Sequence, residues 1–115
     1  MLVQYLEIVT SDVDATCANL EQLHGVRFGE PEPGFGNART AALENGGLIG
    51  VRAPLAEHEE PVVRPYALVD DIESAVAAAE ETGAMIALPP IEIPGGHGKY
   101  AVYILGGIQH GLWQL

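Results

Sequence analysis

The sequence repeats itself once with a spacing of 59 residues, and this duplication limits the folds open to the chain. Residues 5–24 and 64–83 share one plan, in which an apolar strand runs through an acidic cap into a helix. Asp71 follows Asp12 by that same spacing. Both helices carry apolar residues at helical intervals, so each turns one apolar stripe inward. A period of this length is typical of a duplicated supersecondary unit.

The later part of each copy repeats as well. Residues 39–51 match residues 99–111, and the Gly46-Gly47 pair falls opposite Gly106-Gly107. Each copy therefore reads as a strand, a helix and several strands, with a hairpin turn at each glycine pair. The proline-bounded acidic stretch between the copies has the composition of a linker. The predicted organisation is a single domain of two modules and a linker, at residues 1–53, 63–115 and 54–62.

Composition excludes several classes of partner. Sixteen acidic residues against five basic ones give a net charge of −11, which repels the phosphates of nucleic acids and anionic membranes. No apolar run reaches the roughly 20 residues that span a bilayer, and the N-terminus does not resemble a signal peptide. We expect a cytoplasmic protein. Cys17, the lone cysteine, lies on the stripe of the first helix and is interpreted as a buried structural thiol.

Glycine and proline mark the ends of the predicted elements. Gly25 and Gly83 should end the two helices, because glycine readily adopts the left-handed conformation found there. A short strand is expected at residues 26–28 in the first copy and at residues 85–88 in the second. We expect Pro89 and Pro90 to close the latter strand, since proline has no amide to donate.

Two βαβββ modules in a chain of this length resemble the vicinal oxygen chelate superfamily, which includes glyoxalases, bleomycin-resistance proteins and extradiol dioxygenases. The strings that carry the resemblance are the strand, Ser-Asp and helix of residues 5–23, VDDIESAVAAAEETGA at 69–84 and GGIQHGLWQ at 106–114. The resemblance implies an α+β fold in which the two modules form a curved sheet cup with helices on its convex face. It also implies a homodimer.

Metal-dependent members of that superfamily hold a divalent ion on four side chains, usually His, Gln or Glu. The resemblance carries these positions to Tyr5 and Arg64 on the first strands and to Val51 and Gly111 on the last strands. A guanidinium only donates protons, a tyrosine must ionise from a pKa near 10, and valine and glycine have no side-chain donor. We therefore predict no metal and no other cofactor. A shift of one residue gives Gln4, Gly50, Val63 and His110, of which two are plausible ligands.

Strand alternation around those positions defines a candidate pocket for a small-molecule ligand. Arg64 can clamp a carboxylate, phosphate or phenolate. Glu7 can act as a general base, as the partner of a ligand cation or as the counter-ion of Arg64. Gly111 would leave space for a ligand carboxylate, and His97 lies in a glycine-flanked loop that can close over a ligand or face solvent. The predicted ligand-binding residues are Tyr5, Glu7, Arg64, Tyr66, His97, Gln109 and Trp113, of which the aromatic ones can equally be core.

Three functions are compatible with these residues. The first is a metal-independent protein that binds a small organic molecule, aromatic or anionic, as bleomycin-resistance proteins do. The second is an enzyme of the superfamily, a lyase, isomerase or dioxygenase, which uses a metal or uses Glu7 and His97 for proton transfer. The third is a module that binds another protein chain. The absence of usual metal ligands disfavours metal catalysis, and the His97 loop favours a closable ligand site.

Overall fold

Each half of the chain folds as one strand, one helix and three further strands, which confirms the predicted α+β class. The first half contains β1 (Val3–Val9), α1 (Val13–His24), β2 (Pro31–Glu32), β3 (Ala38–Ala42) and β4 (Leu48–Arg52). The second half contains β5 (Val62–Leu68), α2 (Ile72–Glu81), β6 (Met85–Glu92), β7 (Lys99–Leu105) and β8 (Ile108–Gln114). A short 3-10 helix, Pro33–Phe35, lies between β2 and β3.

The computed structural model describes all residues from Met1 to Leu115. Two compact units form, an N-terminal unit of Tyr5–Val63 and a C-terminal unit of Arg64–Leu115 joined by Met1–Gln4. Residues 53–61, which lead from β4 to β5, form neither helix nor strand. Neither helix has the length and apolar character needed to cross a membrane.

In the N-terminal unit the strand order is β2-β3-β4-β1, with β1 parallel to β4 and the other pairs antiparallel. Strand alternation turns Leu6 and Ile8 of β1 toward a core cluster that includes Cys17 of α1 and Val51 of β4. The opposite face of β1 therefore carries Tyr5, Glu7 and Val9. Burial of Cys17 agrees with its predicted structural role.

The C-terminal unit repeats this arrangement with the strand order β6-β7-β8-β5 and with β5 parallel to β8. Ile72 of α2 packs on Ala101 and Leu112, which form the buried centre of the unit. Because side chains alternate along a strand, Trp113 points away from that helix-covered face. Arg64 and Tyr66 of β5 are buried on their own strand two residues apart.

The helices end where the sequence predicts. Gly25 adopts φ 70° at the end of α1, and Gly83, two residues beyond α2, adopts φ 97°. At the start of α2 the Asp71 carboxylate accepts hydrogen bonds from the amides of Glu73 and Ser74. The hydrogen bond from the Ser74 amide is the main cause of the lowered pKa of Asp71. This cap is therefore present at neutral pH and is lost as the pH falls through that lowered value.

One predicted strand does not form, and the predicted end of another is wrong. Residues 26–28 form no strand, and the second strand of that half is instead the two-residue β2. In the other half β6 continues through Pro89 and Pro90, with irregular pairing to β7 on both sides of Leu88. β6 is the outer strand of its unit, so a proline that cannot donate a hydrogen bond leaves the rest of the sheet intact.

In each unit a glycine on the last strand lies under a tyrosine from the first strand. Gly50 pairs with Glu7, and a Cβ built on Gly50 would lie 3.0 Å from Cε1 of Tyr5, with the phenol end of that ring closer still. Gly111 pairs with Tyr66, and its Cβ would lie 2.8 Å from the Pro65 carbonyl oxygen and would overlap the Tyr66 ring. Both rings occupy the space that a larger residue would need.

Substitution of either glycine should therefore destabilise the protein. We expect Gly111→Ala to lower the free energy of unfolding by roughly 1–3 kcal/mol, because the added carbon meets backbone as well as a ring. Urea unfolding followed by circular dichroism measures this, with Gly29→Ala as the control because the nearest atom to its Cβ lies 4.0 Å away. Equal stability of the Gly111 and Gly29 variants would contradict the close packing.

Candidate functional site

Burial separates the predicted ligand residues into two groups. Tyr5 (4% exposed), Glu7 (7%), Arg64 (9%), Tyr66 (5%) and Trp113 (4%) are buried. His97 is half-buried and Gln109 is exposed. Tyr5 and Glu7 belong to the N-terminal unit, and the other five belong to the C-terminal unit. Each unit therefore contributes its own buried cluster on the strand face away from its helix.

The cluster of the C-terminal unit is built around the Tyr66 ring. Tyr66 meets Trp113 edge-on at 5.8 Å between ring centroids and meets Tyr100 at 6.1 Å. The same ring covers Gly111. The prediction that Gly111 leaves room for a ligand carboxylate is therefore wrong, because Tyr66 fills that room.

Arg64 lies beside this cluster in a fixed orientation. Its Nε donates a 2.9 Å hydrogen bond to Oε1 of Gln109. Arg64 stands two residues before Tyr66, and Gln109 stands two before Gly111, so the contact follows the parallel register of β5 and β8. This hydrogen bond helps to set the plane of the guanidinium, the side-chain group best suited to planar recognition of a carboxylate or phosphate.

The His97 loop is attached to the same cluster. The indole Nε1 of Trp113 donates to the carbonyl oxygen of His97 at 3.1 Å. The loop also closes on itself, since the Ile93 amide donates to the Gly98 carbonyl at 2.8 Å. A cavity of about 570 Å³ adjoins the loop. The residues that line the cavity are Glu92, Ile93, Pro94, Gly95, Gly96, Gly98, Lys99, Gln114 and Leu115.

The cluster of the N-terminal unit is a buried charge network centred on Arg52. Nε of Arg52 donates to Oε2 of Glu7 at 2.8 Å. Nη1 and Nη2 donate to the two carboxylate oxygens of Glu59 at 2.9 and 2.8 Å, which is a bidentate pair. Glu59 lies in the stretch between the two strands β4 and β5, and it also accepts a hydrogen bond from the Leu55 amide.

Sequence reasoning missed Arg52 because the spacing between the Gly-Gly turn and the next glycine differs by one residue between the two closing hairpins. Aligning the Gly-Gly turns placed Val51 opposite Gly111, whereas the pairing with β1 makes Gly50 the counterpart of Gly111. Val51 is fully buried in the core on the helix side. The glycine inside the last strand of each hairpin, Gly50 or Gly111, is the signal that gives the correct alignment. In that alignment Arg52 corresponds to Trp113.

Burial and the charge network shift two pKa values. Burial is the main cause that raises the pKa of Tyr5 above its ordinary value, and the neighbouring Glu7 charge raises it further. Hydrogen bonds to Glu59 and then to Glu7 raise the pKa of Arg52, against the opposing effect of desolvation. Tyr5 therefore stays a neutral phenol and Arg52 stays a cation throughout the physiological range.

The donors at the metal positions of the superfamily do not fit a divalent cation. The corrected alignment replaces Val51 with Gly50, which also has no side-chain donor, while Tyr5 stays neutral and Arg64 carries positive charge. No group of three or more His, Cys, Asp or Glu side chains is arranged to hold a metal ion. We derive no chemistry through a metal at these positions.

The chain is similar to known proteins in its three-dimensional structure. No protein-family model matches the sequence. No curated protein matches it either. Among solved structures, a hypothetical protein from Bacillus halodurans C-125 is similar with a TM-score of 0.75 at 14% identity, over 99% of this chain and 94% of that one.

Methylmalonyl-CoA epimerases have the same fold. The enzyme from Mycobacterium tuberculosis has a TM-score of 0.73 at 16% identity, over 97% of this chain and 86% of that one. A variant of the enzyme from Streptomyces coelicolor, in complex with 2-nitronate-propionyl-CoA, has a TM-score of 0.69 at 15% identity, over 97% of this chain and 95% of that one. These likenesses confirm the glyoxalase-like fold. At such low identity they show the fold alone.

The Trp113 indole should contribute to stability through its hydrogen bond as well as its ring. Trp113→Phe keeps an aromatic ring against Tyr66 but loses the donor to His97, so we expect a loss of roughly 1–2 kcal/mol in the free energy of unfolding. Chemical denaturation measures it. Tyr103→Phe is the control and should change stability by less than about 0.5 kcal/mol. A Trp113→Phe variant as stable as this control would show that the loop attachment is unimportant.

Proposed function

We propose that the chain is a metal-independent member of the vicinal oxygen chelate superfamily that binds a small organic anion, with Arg64 as the anion-binding residue. The observation that carries the proposal is the oriented guanidinium of Arg64, which lies on the same helix-free strand face as Tyr66. Tyr66, His97, Gln109 and Trp113 are the proposed neighbours of the ligand in the same unit. Tyr5 and Glu7 stay predicted ligand residues of the N-terminal unit.

Charge and strand position support Arg64 in this role. The chain has only five basic residues, and one of them is placed where the resemblance to the superfamily puts a metal-binding side chain at the floor of the cup. Gln109 fixes its plane by a 2.9 Å hydrogen bond and is itself exposed, so the amide lies at the solvent side of the pair. A fixed guanidinium recognises a carboxylate or phosphate with little further loss of side-chain entropy.

The solved structures of the same fold support a small-molecule ligand. One of them is an epimerase in complex with 2-nitronate-propionyl-CoA. By this analogy the ligand of the present chain is an organic molecule with an anionic group. A homodimer and a cytoplasmic location stay predictions, as does the division into modules at residues 1–53 and 63–115.

Removal of the Arg64 charge should strongly weaken anion binding while the fold persists. Benzoate is the probe, because it combines an aromatic ring with a carboxylate, and calorimetry with the fluorescence of the single tryptophan measures its binding. We expect Arg64→Ala to weaken benzoate roughly tenfold or more, the effect of a charged hydrogen bond. Arg27→Ala, which removes an exposed arginine, should bind as the wild type does. Unchanged affinity in Arg64→Ala would remove Arg64 from the site.

The alternative function is an enzyme of the same superfamily, which the named epimerases of this fold favour. Such an enzyme would use a metal, or Glu7 and His97 for proton transfer. Metal analysis of protein purified without chelator, together with thermal shifts on titration with nickel, zinc, manganese and iron, separates the two. We expect no stoichiometric metal and no saturable shift. Bound metal, or a large saturable shift from binding to the native state, would make the enzyme the leading function.

A further inference from the structure

The Glu7–Arg52 pair occupies a position that the duplicated unit fills without charge. Glu7 of β1 pairs with Gly50 and Tyr66 of β5 pairs with Gly111, so Glu7 and Tyr66 are equivalent. Two residues further along, Val9 pairs with Arg52 and Leu68 pairs with Trp113. The N-terminal unit therefore has a carboxylate and a guanidinium where the C-terminal unit has two aromatic rings 5.8 Å apart.

This comparison within one chain shows that the scaffold does not need an ion pair at this position. Side-chain exposure is 7% for Arg52 and 10% for Glu7, so both charges are taken almost completely from water. Burying two charges is expensive, and an apolar pair of similar volume is often equally or more stable. Stability alone therefore does not account for a charged pair at this position.

Glu59 completes the arrangement from outside the sheet. Its two oxygens bind both terminal nitrogens of Arg52, and the guanidinium plane is fixed by these contacts together with the Nε contact to Glu7. The Arg52 side chain also donates from Nη1 to the Ala53 carbonyl at 3.2 Å. An ammonium group is a point charge and has no planar fork with which to span both carboxylates.

We propose that Arg52 and Glu59 are positioning residues for Glu7. Glu59 orients Arg52, and Arg52 orients the Glu7 carboxylate, so that the stretch between β4 and β5 contributes to where that carboxylate points. This inference rests on the proposed function, in which Glu7 is a residue that contacts the ligand. A substitution within residues 53–61 would therefore change the orientation of the Glu7 carboxylate even though the sequence of β1 stays the same.

Carboxyl labelling tests the positioning without a ligand. Native protein is treated with a water-soluble carbodiimide and glycine ethyl ester, and labelling at Glu7 is measured by peptide mass spectrometry. We expect Glu59→Ala to raise Glu7 labelling several-fold over the wild type. Glu57→Ala removes an exposed acid from the same stretch and should leave the labelling unchanged. Equal labelling in the Glu59 and Glu57 variants would overturn the proposal.

Arg52→Lys separates orientation from simple neutralisation of charge. Lysine keeps the positive charge, so a purely neutralising role predicts wild-type labelling of Glu7, whereas positioning predicts a several-fold rise. Wild-type labelling in Arg52→Lys would overturn the proposal. Circular dichroism verifies that each variant is folded, and Glu59→Ala alone decides the matter where Arg52→Lys does not fold. Because benzoate is absent, the result does not depend on whether Arg64 binds an anion.

Discussion

The close approach of the first strand to the last strand of each unit determines what the helix-free face can contain. Gly50 and Gly111 each lie on a last strand that pairs in parallel with the first strand of the same unit. Because glycine has no side chain, a tyrosine ring from the first strand can lie over it. Large rings are thereby admitted to this face. Neighbouring residues on that face, Arg52 and Trp113, then take positions determined by this register.

The duplication was sufficient to predict the fold, because it combines two independent patterns, a helical stripe and a hairpin glycine pair, at one constant spacing. The faces of β1 and β5 also followed from alternation, which correctly grouped Tyr5 with Glu7 and Arg64 with Tyr66 as buried neighbours on their strands. Side-chain partners did not follow. Glu59 reaches Arg52 from a stretch without regular structure, and no periodicity predicts which of its acids turns inward.

Two further misses have physical reasons that a sequence pattern does not contain. β6 tolerates Pro89 and Pro90 because it is an outer strand, a fact known only once the strand order is known. The absence of a side chain at Gly111 was interpreted as space for a ligand, but an empty position in a packed interior is filled by a neighbour. Tyr66 is that neighbour.

The two units have diverged at equivalent positions, and the divergence gives each a different chemistry on the same scaffold. Aromatic packing in the C-terminal unit supports Arg64 through the strand that also holds Tyr66. In the N-terminal unit the same positions hold a guanidinium between two carboxylates, an arrangement that is costly to bury and therefore needs a reason other than stability. The bidentate contact from Glu59 fixes the guanidinium of Arg52, which in turn orients the Glu7 carboxylate. Aromatic packing has no equivalent effect, because contact with a ring does not fix the direction of a carboxylate.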